Sequence, residues 1–145
     1  MTTYRRIHSK GEWRHEEYVA HAILSPGNIL ELNSDEEVLK HATENGSLTS
    51  GKLIAQEDAL QGRVASTAYA AADIVSVAVA ESGSEWNLLV ESGQVLTIGE
   101  ELIANGLGAL KSAGDVDSGE TANVIAVCLE AVTTTAIQLV NVRIL

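Results

Sequence analysis

The stretch DIVSVAVAESGSEWNLLVESGQVLTIG, residues 73–99, decides the fold class. Ile74, Val75, Val77 and Val79 are interleaved with Ser76, Ala78 and Ala80, a pattern that suits a strand packed on at least one face. Ser82-Gly83-Ser84 then turns the chain into a second run, Glu85–Val90. Ser92-Gly93 turns it again into a third, residues 95–98.

Outward from this stretch the same alternation of short runs and turn signals continues. On the N-terminal side, residues 16–22 form a candidate strand, and Ser25-Pro26-Gly27-Asn28 is a turn in which proline presets the backbone. Ile29–Leu32 and residues 37–41 flank Asn33-Ser34-Asp35 and predict a hairpin. Asn45-Gly46 marks another turn, and Gly51 opens a run over 52–56. On the C-terminal side, Gly99, Gly106, Gly108 and Gly114 punctuate short runs at 102–103 and 109–110. Two long strands are expected at 122–132 and 137–145. Only residues 67–72 invite a helical turn, although 57–61 could also coil. About ten short strands at this spacing predict an all-β domain, a compact barrel or sandwich with at most a short helix.

The composition fits that reading and narrows the function. Hydrophobic residues make up 46% of the 145-residue chain, which excludes wholesale disorder, and a chain of this length supports one core. Aromatics are only 3% and phenylalanine is absent, so the core is built from Val, Leu, Ile and Ala rather than around a deep aromatic-lined pocket. The net charge of −11 argues against nucleic acid as a main partner. The charge is uneven: Arg5, Arg6, Lys10 and Arg14 face only Glu12 in the first fourteen residues, giving +3 there and −14 for the remainder.

Residues 1–15 therefore read as an extended basic arm, loose in isolation, on an acidic domain at 16–145. Cys128 is the single cysteine, which leaves no intramolecular disulfide; within Val124–Leu129 it reads as a buried, inert thiol. No stretch approaches the ~20 apolar residues of a membrane span. Met1-Thr2-Thr3-Tyr4-Arg5-Arg6 is not followed by the apolar segment of a secretory signal, so synthesis in a cytoplasm is expected.

Catalytic and metal constellations are weak. His8, His15, His21 and His41 lack metal-ligand spacing, and their simpler reading is solvated or interface histidines. Glu16-Glu17, Glu36-Glu37 and Glu100-Glu101 are neighbours that a strand points to opposite faces, so they read as surface charge. No Gly-x-Ser-x-Gly elbow occurs, and Gly106-Leu107-Gly108 lacks the rest of a phosphate-binding loop. Residues 95–102 with Ala109-Leu110-Lys111-Ser112 are faintly similar to a biotin-carrier hairpin. The methionines that flank the carrier lysine are absent, so the plainer reading is a turn-rich barrel segment with a surface lysine. The expectation is a protein that is no enzyme and takes no cofactor or metal.

Several segments, taken in order, resemble the small β-barrel ("β-tulip") decoration or cement proteins of tailed-bacteriophage heads. Ser25-Pro26-Gly27-Asn28-Ile29-Leu30-Glu31-Leu32 followed by Val38-Leu39-Lys40-His41-Ala42 is similar to the family's opening hairpin. Lys52-Leu53-Ile54-Ala55-Gln56-Glu57-Asp58-Ala59-Leu60-Gln61-Gly62 and Ala68-Tyr69-Ala70-Ala71-Ala72-Asp73 are similar to stretches that recur in it. Residues 98–106 with Leu110-Lys111 resemble its glycine-punctuated hairpin, and 124–132 and Val142-Arg143-Ile144-Leu145 resemble its ending. The likeness covers about residues 22–145. Ala72 stands where relatives often have glycine, residues 81–94 differ from the usual charged loop, and the arm is longer.

That resemblance implies a virion protein on the outer face of the expanded capsid, clamping the major capsid protein against the pressure of packaged DNA. It implies homotrimers at threefold and quasi-threefold positions, with neither nucleic acid nor membrane as partner. An acidic body, repelled by DNA, fits the outside of a shell. On this reading the capsid-binding residues are those of the arm: Tyr4, Arg5, Arg6, Ile7, Lys10, Trp13 and Arg14. The arm would add a strand to an exposed capsid edge, Arg5 and Arg6 giving electrostatic matching and Trp13 the buried anchor. A tail or fibre component is the alternative, and a frayed terminus without a role is the alternative for the arm.

Overall fold

The computed structural model describes residues 6–48 and 50–145, and the chain in it is all-β. The first six strands are β1 (His8–Lys10), β2 (Trp13–Val19), β3 (Ile29–Leu32), β4 (Val38–Lys40), β5 (Leu53–Ala55) and β6 (Ile74–Ala80). They are followed by β7 (Glu85–Val90), β8 (Val95–Leu96), β9 (Glu101–Ala104) and β10 (Leu110–Ser112). The last are β11 (Ala126–Cys128), β12 (Val132–Thr133) and β13 (Gln138–Ile144). Helical structure is confined to two 3₁₀ turns, Ala59–Gln61 and Ala113–Asp115.

Five strands close on themselves. β7, β10, β9, β11 and β13 pair in that order, and β13 returns to β7 over six residue pairs from Gln138↔Val90 to Arg143↔Glu85. The result is a small barrel with one parallel contact, β7 to β10. Alternate residues fill it: Trp86, Leu88 and Val90 from β7, Val140, Val142 and Ile144 from β13, Ala126 and Cys128 from β11. The run read at 85–90 thus forms a barrel strand whose Trp86, Leu88 and Val90 face inward.

The remaining large sheet runs β2-β6-β5-β3-β4 and is buried on both faces over part of its area. Ile29, Ile54, Ala78 and Ala80 join the barrel core, whereas Leu30, Leu53, Ala55, Val75 and Val77 form a second core with Ala20, Leu24, Val38 and Tyr69. This explains why residues 74–80 are nearly continuously apolar: successive side chains serve two different cores. The sheet also curls. His21 N–H donates to Val38 O at 2.8 Å, bringing the end of β2 against β4.

Three expectations need correction. Residues 1–15 are expected to be loose, but the described part, residues 6–15, is built into the fold: β1 pairs with β7, β2 begins at Trp13, and Ile7 is fully buried in the barrel core. Pairing with residues far along the chain gives this segment an order that local sequence pattern cannot supply. Residues 67–72 form no helical turn; Tyr69 instead bridges Leu24, exchanging backbone hydrogen bonds of 2.8 and 3.1 Å. The expected long strand at 122–132 is two short ones, β11 and β12. β11 pairs with β9 and β13, and after it the chain crosses to pair with β8. The hairpin of β3 and β4 forms as read.

Candidate interaction site

The most distinctive surface is built where the N-terminal strands pass from the barrel to the open sheet. Gly11 makes that passage possible. Its φ is +95°, and a Cβ there would lie 2.8 Å from Ser84, so only glycine fits the close approach without strain. His8 closes the turn, its Nε2 lying 2.8 Å from the Gly11 carbonyl.

Four rings collect around this turn. Trp86, fully buried, donates its indole N–H to Ser84 Oγ at 2.7 Å. His8 lies edge-on to it, with ring centroids 4.9 Å apart, and Trp13 lies edge-on at 6.2 Å. Trp13 also meets His15 at 6.3 Å, and His15 Nε2 lies 3.1 Å from Ser76 Oγ. Edge-to-face contact suits the ring quadrupoles, so Trp13 is held in place from within the protein while remaining 36% exposed.

Beside Trp13 lies a groove of about 520 Å³. Its floor is the face of β2 and β6 that runs on past the barrel, with Ile74, Ser76, His15 and Glu17. Its far wall is the segment from Gln56 to Gln61, and Arg6 stands at its rim. Ile74 is 61% exposed and Leu60 96%, so large apolar side chains open to solvent here. Glu57 fixes the wall to the arm by accepting the Ile7 N–H at 3.2 Å. Among the described residues, three carboxylates, those of Glu17, Glu57 and Asp58, and one guanidinium, that of Arg6, line the groove.

Two features of the groove are open to a partner. Gln56 lines it with a side-chain amide that makes no hydrogen bond with any described residue and reaches solvent. β2 is a sheet edge. Ala20 exchanges hydrogen bonds with Asp73 and Ala72, so the backbones of Tyr18, Glu16 and Arg14 face β6 in alternation. The N–H and C=O groups of Trp13, His15 and Glu17 therefore point outward from the sheet, up to the end of β2, where the Ala20–Val38 bridge covers the edge.

The residues expected to bind the capsid separate. Tyr4 and Arg5 lie outside the described residues. Arg6 and Trp13 come together at the groove, and Lys10 and Arg14 are exposed. Ile7 is withdrawn into the core and presents no surface. On the other face of β2, Arg14 pairs with Glu16 at 2.8 Å. The Glu16 carboxyl is held below its usual range, chiefly by the Tyr18 hydroxyl and then by Arg14. Sequence reading missed Gln56, Asp58, Leu60 and Ile74; the apolar Ile74 at the head of a strand otherwise lined by core residues was the available signal.

Lys111 is not at a turn tip. It lies within β10, is 9% exposed and is ion-paired with Glu44, which contradicts both the carrier role and a surface lysine. His41 is buried, its Nε2 donating to Ser47 O at 2.9 Å. Among the described residues, no three His, Cys, Asp or Glu side chains are grouped to hold a metal ion.

No family model matches this chain, and no curated protein does. Among solved structures it is similar to the head fiber gp8.5 N base of bacteriophage phi29, with a TM-score of 0.57 and 18% sequence identity. The similarity covers 92% of this chain and 95% of that one, so the two share a fold over nearly their whole length.

Proposed function

We propose that this protein is a structural component of a tailed-phage head, a decoration protein on the outer face of the expanded capsid. The observation that carries the reading is the near-complete fold match to a base module of a phage head fibre. The order of segments resembling phage decoration proteins supports it independently. The acidic body keeps such a protein off packaged DNA and outside the shell.

Attachment runs through β1 and β2. Their exposed cations, Arg6, Lys10 and Arg14, supply charge matching to the shell, the outward edge of β2 supplies backbone pairing, and Trp13 supplies a preset ring. Threefold and quasi-threefold positions, occupied by trimers, are the arrangement the family resemblance implies. The test is co-sedimentation with purified expanded heads that lack the protein. Saturable binding that weakens in Lys10→Glu/Arg14→Glu supports the reading; absence of binding at micromolar concentration contradicts it.

A second reading is favoured by the same neighbour, which is itself part of a fibre: this chain could be the capsid-proximal base of a head fibre. The copy number per particle separates the two.

A further inference from the structure

Resting on that reading, we infer that the Trp13 groove is the receptor for an extended, basic polypeptide segment of the shell subunit, and that one Lys or Arg side chain of that segment enters it. Three independent observations converge on this occupant. The outward N–H and C=O groups of Trp13, His15 and Glu17 form a row whose natural complement is another backbone in extended conformation. Gln56 lines the same groove, and its side-chain amide can donate to and accept from whatever enters. Because Gln56 follows β5, across β6 from β2, its amide oxygen complements the entering side chain rather than the paired backbone. Among the described residues, Glu17, Glu57 and Asp58 outnumber Arg6, and the exposed part of Trp13 lines the same groove, which favours a cationic side chain over a neutral or acidic one.

The groove and the cations thus have opposite charge preferences on one edge. Lys10 and Arg14 meet acidic groups of the shell, and the groove meets a basic one, so a partner strand slipped out of register would set like charges together.

The experiment uses the intact protein in two measurements. In the first, binding to expanded heads is compared for wild type, Glu17→Lys/Asp58→Lys and Gln56→Ala, each checked for its native amide spectrum. In the second, N-acetyl-arginine methylamide and N-acetyl-glutamate methylamide are titrated against the labelled protein. The expected result is a loss of about tenfold or more in head affinity for the charge-reversed variant. The arginine probe alone should shift the Trp13 indole and Gln56 side-chain resonances.

Unchanged head affinity in the charge-reversed and Gln56→Ala variants overturns the inference while leaving attachment to the head intact. If wild type does not bind heads, the functional reading fails, and a silent arginine probe then overturns the groove assignment too. Self-association of wild type that is abolished in Glu17→Lys/Asp58→Lys would seat a second copy in the groove and also overturn the assignment.

Discussion

Trp13 meets Trp86 edge-on, with ring centroids 6.2 Å apart and planes 77° apart. One ring is wholly inside the barrel and the other stands at the rim of the groove, so this contact ties the surface site to the core. The two substitutions should differ sharply. Trp86→Ala removes a fully buried side chain and should cost about 3–5 kcal/mol of stability. Trp13→Ala removes a partly exposed ring and its contacts with His8, His15 and Trp86, and should cost about 2 kcal/mol. Urea denaturation of both variants checks the contrast, and Trp13→Ala should lose head attachment out of proportion to its stability.

Tyr69 closes the second core, its hydroxyl donating to the Gln56 carbonyl at 2.6 Å. Tyr69→Phe leaves that carbonyl unpaired and should destabilise by about 1–3 kcal/mol. Burial pushes the Tyr69 pKa up to about 12. The unfolded value is near 10, so this stabilisation is complete below about pH 10 and is lost as pH rises toward the folded value. Denaturation at pH 8 and pH 11 should show the loss in wild type and a smaller one in Tyr69→Phe.

Ala72 has φ of 71° and Glu36 of 60°, in the left-handed region. A side chain there costs about 1–2 kcal/mol, partly offset by the greater chain entropy of glycine in the unfolded state. Ala72→Gly and Glu36→Gly should each raise stability by about 0.5–1 kcal/mol by that balance. Thermal melts check this directly.

Cys128 is fully buried, and burial raises its thiol pKa. It should resist a thiol-specific reagent in the native protein and react fully in denaturant. Rapid native labelling would show that the barrel opens on the labelling timescale.

Much of the barrel was legible because it is written in period two. The runs read at 85–90 and 137–145 form β7 and β13, the barrel's longest pairing, with Trp86, Leu88 and Val90 meeting Val140, Val142 and Ile144 in the core. The break after Cys128 was not legible, because apolar residues continue to Val132 and only the change of partner from β13 to β8 interrupts them. The order of the N-terminal segment was hidden for the same reason: β1 acquires a partner only in β7, far along the chain. In the site, Trp13 and Arg6 were singled out as part of the basic arm, whereas Gln56 ends a run read as a strand and Asp58 lies in a segment read as a possible coil. What brings them to Trp13 is sheet pairing through β6, which no local pattern encodes.

The most direct test of a head-decoration role is the number of copies of this protein relative to the major shell protein in purified particles. The account predicts a ratio near one copy per shell subunit. A ratio of a few per cent would contradict it in favour of a fibre base, and complete absence from particles would contradict a virion role altogether.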